Sequence, residues 1–267
     1  MKTKILITVK TYPTLSAKYD EIVCTAGFRE DGTWVRLYPI PFRKLDYEKQ
    51  YKKYQWIELK IERNSSDPRK ESYRPVNIND IVTGVWIEPT NYWRERKEIV
   101  LKKVYTNMEI LIEEAKNPDK CTSLAVFKPS EIIDFKFTKT VREWDKVKLA
   151  QLDQLKLYEK NDNPFKVVKK LPYKFSYIFM EDSSVERTLM IEDWEIGQLF
   201  WNCCKKHNGD EIKACNDVKK KYFDDFAKTK DLYFYLGTTR EFHFHAKNPF
   251  IIIGTFHPMI EPQDGLF

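Results

Sequence analysis

The sequence predicts an α+β protein, β-rich over its first part, with a last third in which two helices lie on further strands. Two observations carry that expectation. Six short apolar or alternating runs lie before residue 105, with Pro, Gly, Asn or Asp between many of them, which is the punctuation of strands. After residue 190 two longer segments read as helices, bracketed by strand-like runs. Apolar content of 42% and aromatic content of 15% over 267 residues are enough to bury a core and argue against disorder.

The expected strands are ILITV (5 to 9), EIVCTAGF (21 to 28), TWVRLY (33 to 38), YQWIELKI (54 to 61), VTGVWIE (82 to 88) and EIVLKKV (98 to 104). A helix follows over Met108 to Lys116 and stops before Asn117-Pro118, where proline disfavours helical geometry in the residue ahead of it. Strands resume at SLAVF and IIDFKF, and a charged helix is expected from about Val141 to Lys160. The turn-rich stretch 159 to 165 then divides the chain into a β-rich region, 1 to 160, and an α+β region, 161 to 267. In the second region strand KFSYIFM precedes helices from Asp193 to about His207 and from Gly209 to Lys228, and strands DLYFYLGT and PFIIIGTF close the chain. Asp193 is placed to cap its helix, and Glu195 sits well near the positive end of the helix dipole.

Charge is unevenly distributed. Residues 1 to 170 hold 34 Lys and Arg against 25 Asp and Glu, a surplus of +9; the remainder holds 12 against 15, or −3, giving +6 in all. The surplus suits an anionic partner for the first two thirds. The apolar run at the N-terminus is too short for a signal peptide and no run is long enough to span a bilayer, so a cytoplasmic protein without a membrane partner is expected. Five cysteines without a CxxC pair speak against a disulfide framework and a zinc ribbon. No GxSxG, Walker loop, HExxH or dinucleotide fingerprint is present, and no cofactor is expected.

The hairpin around Asp31-Gly32 gives the candidate binding face. With a two-residue turn, Arg29 faces Trp34, Phe28 faces Val35, Gly27 faces Arg36, Ala26 faces Leu37 and Thr25 faces Tyr38. Val35, Leu37, Phe28, Ala26 and Cys24 then share the core face, while Arg29, Trp34, Arg36 and Tyr38 share the other. Rings beside guanidinium groups stack on bases and pair with phosphates, which is the chemistry of single-stranded nucleic-acid platforms. The alternative is that a further element covers this face and the arginines snorkel. Residues 42 to 56 extend the pattern: Arg43, Lys44, Lys52 and Lys53 offer charge and Tyr54 a ring, although tyrosines at 47, 51 and 54 also fit one side of an amphipathic turn. Trp86, Tyr92, Trp93, Arg94 and Arg96 form a second such cluster.

Three stretches, VCTAGFREDGTWVRLYPIPFR, MIEDWEIGQLFW and DLYFYLGTTREFHFHAKNPFIIIGTFHP, resemble an uncharacterised group of bacterial proteins containing two OB-like domains. The resemblance implies an OB-like β-barrel for the N-terminal part, a fold that takes single strands and oligosaccharides. Relatives carry cysteines and a histidine ahead of the Asp-Trp-Glu triplet; this chain has FMEDSSVERTLM there, so the resemblance brings no zinc site with it.

The expected function is therefore binding of a nucleic acid, single-stranded by preference, or of a nucleotide. Two rivals stand beside it: a metal-dependent nuclease or other nucleic-acid-processing enzyme, and a protein-interaction subunit. Glu58 and Lys60 share a strand face and Asp46 lies twelve residues before Glu58, a trio that would suit Mg²⁺-dependent phosphodiester hydrolysis. His243 and His245, on one face of an expected strand, with His257 beyond, make a three-histidine metal site conceivable. An aromatic and arginine face also suits a protein partner.

Overall fold

A computed structural model of the chain describes residues 2–147, 149–150, 152 and 165–262. The boundary expected at 159 to 165 and much of the helix expected from Val141 to Lys160 lie outside the described residues. The architecture is mixed α+β: a curled, half-barrel sheet formed by the first hundred residues, and a second sheet with helices formed by the rest.

The first sheet contains β1 (Thr3–Lys10), β2 (Thr14–Ser16), β3 (Asp20–Phe28), β4 (Trp34–Ile40), β5 (Gln55–Leu59), β6 (Ile61–Arg63), β7 (Ser72–Pro75) and β8 (Val82–Trp86). Its order is β6-β7-β4-β3-β1-β5-β8, with β2 paired to β3. The second contains β9 (Val104–Tyr105), β10 (Leu124–Phe127), β11 (Glu131–Lys139), β12 (Tyr173–Met180), β13 (Glu186–Ile191), β14 (Tyr233–Thr238) and β15 (Phe250–Phe256), in the order β11-β12-β13-β15-β14-β10-β9. The helices are α1 (Arg94–Val100), α2 (Met108–Lys116), α3 (Trp194–Lys206) and α4 (Glu211–Lys219), the last continued by a wider π turn over Lys220–Ala227. Among the described residues no helix is long and apolar enough to cross a membrane.

Two helices are set by their caps. Asn107 caps α2, accepting from the backbone N–H groups of Glu109 and Ile110 at 2.9 and 3.2 Å, and Asn117 ahead of proline ends it. Asp210 caps α4 through the N–H of Lys213 at 3.0 Å. The run EIVLKKV, expected as a strand, is instead divided: α1 carries its first three residues to Val100, a turn follows, and only its last residue, Val104, enters the short strand Val104–Tyr105.

Three apolar layers result. Ile5, Ile7, Val23, Val35 and Leu37 fill the concave side of the first sheet. Leu6, Ala26 and Phe28 on its other side meet Val126, Tyr235, Ile253 and Phe256 of the second sheet. The helices α2, α3 and α4 cover the far side of the second sheet through Leu111, Phe200 and Val218. Strands β3 and β4 are thus largely buried on both faces, and of the aromatic and arginine row on β4 only Tyr38 is exposed.

The register of the β3–β4 hairpin differs by one residue from the expected one. Gly32 has φ of +85° and its N–H donates to the Arg29 carbonyl at 2.9 Å, while Arg29 N–H reaches the Thr33 carbonyl at 2.9 Å. Glu30, Asp31 and Gly32 therefore form a three-residue loop closed by a left-handed glycine, and not a two-residue turn. Phe28 consequently pairs with Trp34, Gly27 with Val35, Ala26 with Arg36 and Thr25 with Leu37. Phe28 and Ala26 sit on the side of Trp34 and Arg36, against the expectation that they lie with Val35 and Leu37. Gly27 does not make room for a ligand either: a Cβ there would meet the Leu6 carbonyl oxygen at 2.1 Å, so glycine is what lets β1 approach β3.

Trp34 packs on Phe28 with centroids 3.9 Å apart and meets Tyr235 edge-on at 5.9 Å, at the junction of the two sheets. Two substitutions test this packing by chemical denaturation. Gly27→Ala should cost about 3 kcal/mol, because backbone and not a mobile side chain opposes the methyl group. Trp34→Ala should cost about 2 kcal/mol, somewhat below a fully buried tryptophan. A Trp34→Ala variant as stable as wild type would contradict its place between the sheets.

Candidate functional site

The first and second sheets leave a cleft of about 440 Å³ at one end of their junction. Arg36 and Tyr38 of β4 line it together with Arg69 and Arg74, Thr238 to Arg240 at the end of β14, and Glu192. It is built on the loop between β6 and β7. Asp67 organises that loop, accepting from Arg69 Nε at 2.9 Å, Arg69 Nη2 at 2.6 Å and Ser72 Oγ at 2.7 Å. Burial opposes the charge of Asp67, yet the bonds from Arg69 and Ser72 hold its carboxyl well below the usual range.

The guanidinium of Arg69 also donates through Nη1 to the Thr238 carbonyl. Arg36 approaches the same oxygen: Nη2 lies 3.4 Å from it and 3.0 Å from the Ser123 carbonyl, and Nη1 donates to Ser123 Oγ at 2.8 Å. Ser123 Oγ in turn donates a hydrogen bond to the Glu71 carboxylate at 2.8 Å. Arg36 is only 2% exposed and is held by carbonyl and hydroxyl oxygens, its nearest carboxylate link running through Ser123. Burial, reinforced by the neighbouring Arg69, works against its charge. Tyr38 is 37% exposed at the rim, beside the exposed Arg240. Arg74 is exposed and pairs with Glu62 at 2.6 Å.

The other expected ligand residues are dispersed. Arg29 lies over the Tyr73 ring at 4.9 Å. Arg43 pairs with buried Glu21 at 2.8 Å, Lys44 pairs with Asp20, and both stand over Phe165 at 5.1 Å. Lys52 is exposed near Trp86. Tyr54 is buried, with its hydroxyl 3.4 Å from that of Tyr235, and Arg96 stacks on its ring at 4.0 Å. Residues 42 to 54 are two short 3₁₀ turns and loop, and β5 begins at Gln55, so the helical spacing of the tyrosines has no helix behind it: Tyr47 is exposed while Tyr51 and Tyr54 are buried.

The enzymatic alternatives find different settings. Asp46 is exposed and pairs with Lys49 at 2.6 Å; Glu58 on β5 and Lys60 just after it are also exposed. His243 and His245 lie in a turn between β14 and β15, not on a strand. His243 is buried, its Nδ1 2.9 Å from Thr238 Oγ1 and its Nε2 3.3 Å from Cys121 Sγ; burial and the two arginines bring its pKa down to about 4. His257 stacks on Phe226 with centroids 3.7 Å apart. No group of three His, Cys, Asp or Glu side chains is placed to hold a metal among the described residues.

A second cluster of charge sits at the other end of the junction. Lys53 donates to Glu195 at 2.8 Å and to the Thr255 carbonyl at 3.0 Å, joining the first sheet to α3 and β15. Lys10 lies over the rings of Phe42, at 4.2 Å, and Trp194, at 5.5 Å. Asp193 stands at the N-cap position of α3, but its side chain makes no capping hydrogen bond, and its buried Oδ2 has no partner. Capping therefore does not account for this carboxylate. Burial raises its pKa to about 7 in spite of Lys53 nearby.

Sequence reasoning found Arg36 and Tyr38 of the cleft and missed Arg69, Arg74, Arg240 and Glu192. The stretch NSSDPRKES at 64 to 72, dense in Asn, Ser, Asp and Pro, was the available signal of a built loop.

Residues 104–267 match the family described as Domain of unknown function (DUF8757), and residues 1–102 match Domain of unknown function (DUF8758). No curated protein matches the sequence.

The state of Asp193 sets a pH dependence. From its ordinary value of 3.8 up to about 7 the folded chain holds a proton here that the unfolded chain has released, so stability falls as pH rises through that window. Thermal melting of wild type and Asp193→Asn at pH 5 and pH 8 should show the variant gaining relative to wild type at the higher pH. Parallel melting at both values would contradict the buried, uncompensated carboxyl.

Proposed function

The chain belongs to the family described as Domain of unknown function (DUF8757), and we propose that it binds a nucleotide or a single-stranded nucleic acid in the cleft between its two sheets. One observation carries this reading: Arg36 and Arg69, both buried, converge on the single carbonyl of Thr238 at the cleft, with one direct carboxylate, Asp67, between them. Two guanidinium groups so close repel each other, and an anion entering the cleft relieves that repulsion. Arg240 and Arg74 add positive charge at the rim, against Asp67 and Glu192.

Phosphate suits this arrangement because planar guanidinium groups bind its oxygens in pairs and low-dielectric walls focus their field. The exposed ring of Tyr38 beside them offers a stacking surface for a base. The curled first sheet, read as OB-like, is an architecture that presents such sites to single strands. Trp34 takes no part, since its ring lies against Phe28 and Tyr235.

Titration of wild type with a 5′-phosphorylated fluorescent oligonucleotide tests the proposal. Affinity should fall several-fold or more between about 50 and 200 mM salt as phosphate contacts release counterions. Tyr38→Ala should cost roughly 1 to 3 kcal/mol of binding, the range for one stacked base. Arg240→Ala should weaken binding and reduce the salt slope by about 1. Absence of binding at low salt, or rim variants that bind as wild type does, would overturn the reading.

A further inference from the structure

Resting on the reading of the cleft as a phosphate site, we infer that the ligand is a single strand of at least two nucleotides, whose second unit lies in an adjoining aromatic cavity beside Trp144. That cavity measures about 350 Å³ and is lined by Tyr12, Trp144, Lys170, Tyr173 and Lys174. Thr14 and Glu192 line both it and the arginine cleft, so the two lie side by side. Each volume falls at the lower end of the size of small-ligand pockets, which suits one nucleotide unit apiece.

The chemistry of the second cavity complements that of the first. Tyr12 and Tyr173 are buried and fixed: the Tyr12 hydroxyl donates to the Lys169 carbonyl at 2.7 Å and accepts from Trp201 Nε1 at 2.9 Å, and Tyr173 packs on Phe200 at 5.7 Å. Trp144 is half-buried, and its Nε1 donates to the Val168 carbonyl at 2.8 Å, which holds the ring in place. A ring pre-set in this way stacks on a base at little entropic cost. Lys170 stands 6.0 Å from the Trp144 ring and the exposed Lys174 also lines this cavity, so it has a cationic side of its own, as the arginine cleft does.

Glu192 between the poles sets the direction of reading. A carboxylate at the junction repels phosphate and accepts from the N–H or O–H groups of a base or sugar. Phosphates are thereby favoured beside the arginines on one side and the lysines on the other, an arrangement with places for more than the one phosphate of a mononucleotide.

The test compares monomer and tetramer. Thymidine and uridine 5′-monophosphates, and the 5′-phosphorylated tetranucleotides of each, are titrated against the full chain by calorimetry. In at least one sugar series the tetramer should bind about tenfold to a hundredfold tighter than the monomer, the gain of one stacked base. Trp144→Ala and, separately, the exposed Lys174→Glu should bring the tetramer towards the monomer's affinity. Equal affinities of monomer and tetramer in both series, or a gain that survives both substitutions, would overturn the second subsite while leaving the phosphate cleft standing. Absence of binding by monomer and tetramer alike would overturn the cleft reading and this inference with it.

Discussion

Arg36 lies on a strand of the first sheet, and the oxygens that satisfy it belong to the second. A guanidinium buried to 2% exposure is costly unless its N–H groups are taken, and Ser123 and Thr238 take them only when the sheets are docked. Arg69 repeats the arrangement from the β6–β7 loop, donating to the same Thr238 carbonyl. Hydrogen bonds to charged groups contribute about 1.5 to 3 kcal/mol each, so these few contacts set how the sheets meet as firmly as the apolar layer behind them. The cleft is a consequence: two cations ordered for structural reasons line a cavity open to solvent.

At the opposite end of the junction Lys53 plays a comparable part, reaching the Thr255 carbonyl and Glu195, with Tyr54 against Tyr235 beside it. Part of the basic surplus of the first two thirds is thus spent internally. Arg36, Lys53, Arg69 and Arg96 are ties between elements, and their charge reaches solvent through a cleft or not at all. A net charge read from sequence overstates the surface field here, which shifts the weight of the functional reading from a broad basic face to a small, focused site.

Much of the scaffold was legible because local rules decide it. The strands around 5, 25 and 35 follow their apolar runs, and α2 follows Asn107 and Pro118. The hairpin at Asp31-Gly32 was legible as a hairpin, but its register was not: glycine serves both a two-residue turn and the left-handed close of a three-residue loop, and one residue of slip exchanges the faces. Alternation offered no correction, since β3 and β4 are largely buried on both sides. EIVLKKV misled because a short apolar run does not distinguish helix from strand; Arg94 to Lys97 ahead of it are good helix formers and α1 runs through them to Val100. The cleft was the least legible part, because Arg69, Arg240 and Glu192 come from loops and a strand end far apart in the chain and only the sheet order assembles them.

On the proposed reading a phosphate enters the cleft beside Arg36 and Arg69. A crystal structure of the chain grown with a 5′-phosphorylated tetranucleotide tests it most directly. Phosphate density within hydrogen-bond distance of Arg69 or Arg36, with a base on Tyr38, is the expected result. A strand bound elsewhere on the surface, with the arginine cleft unchanged and holding only water, would contradict it.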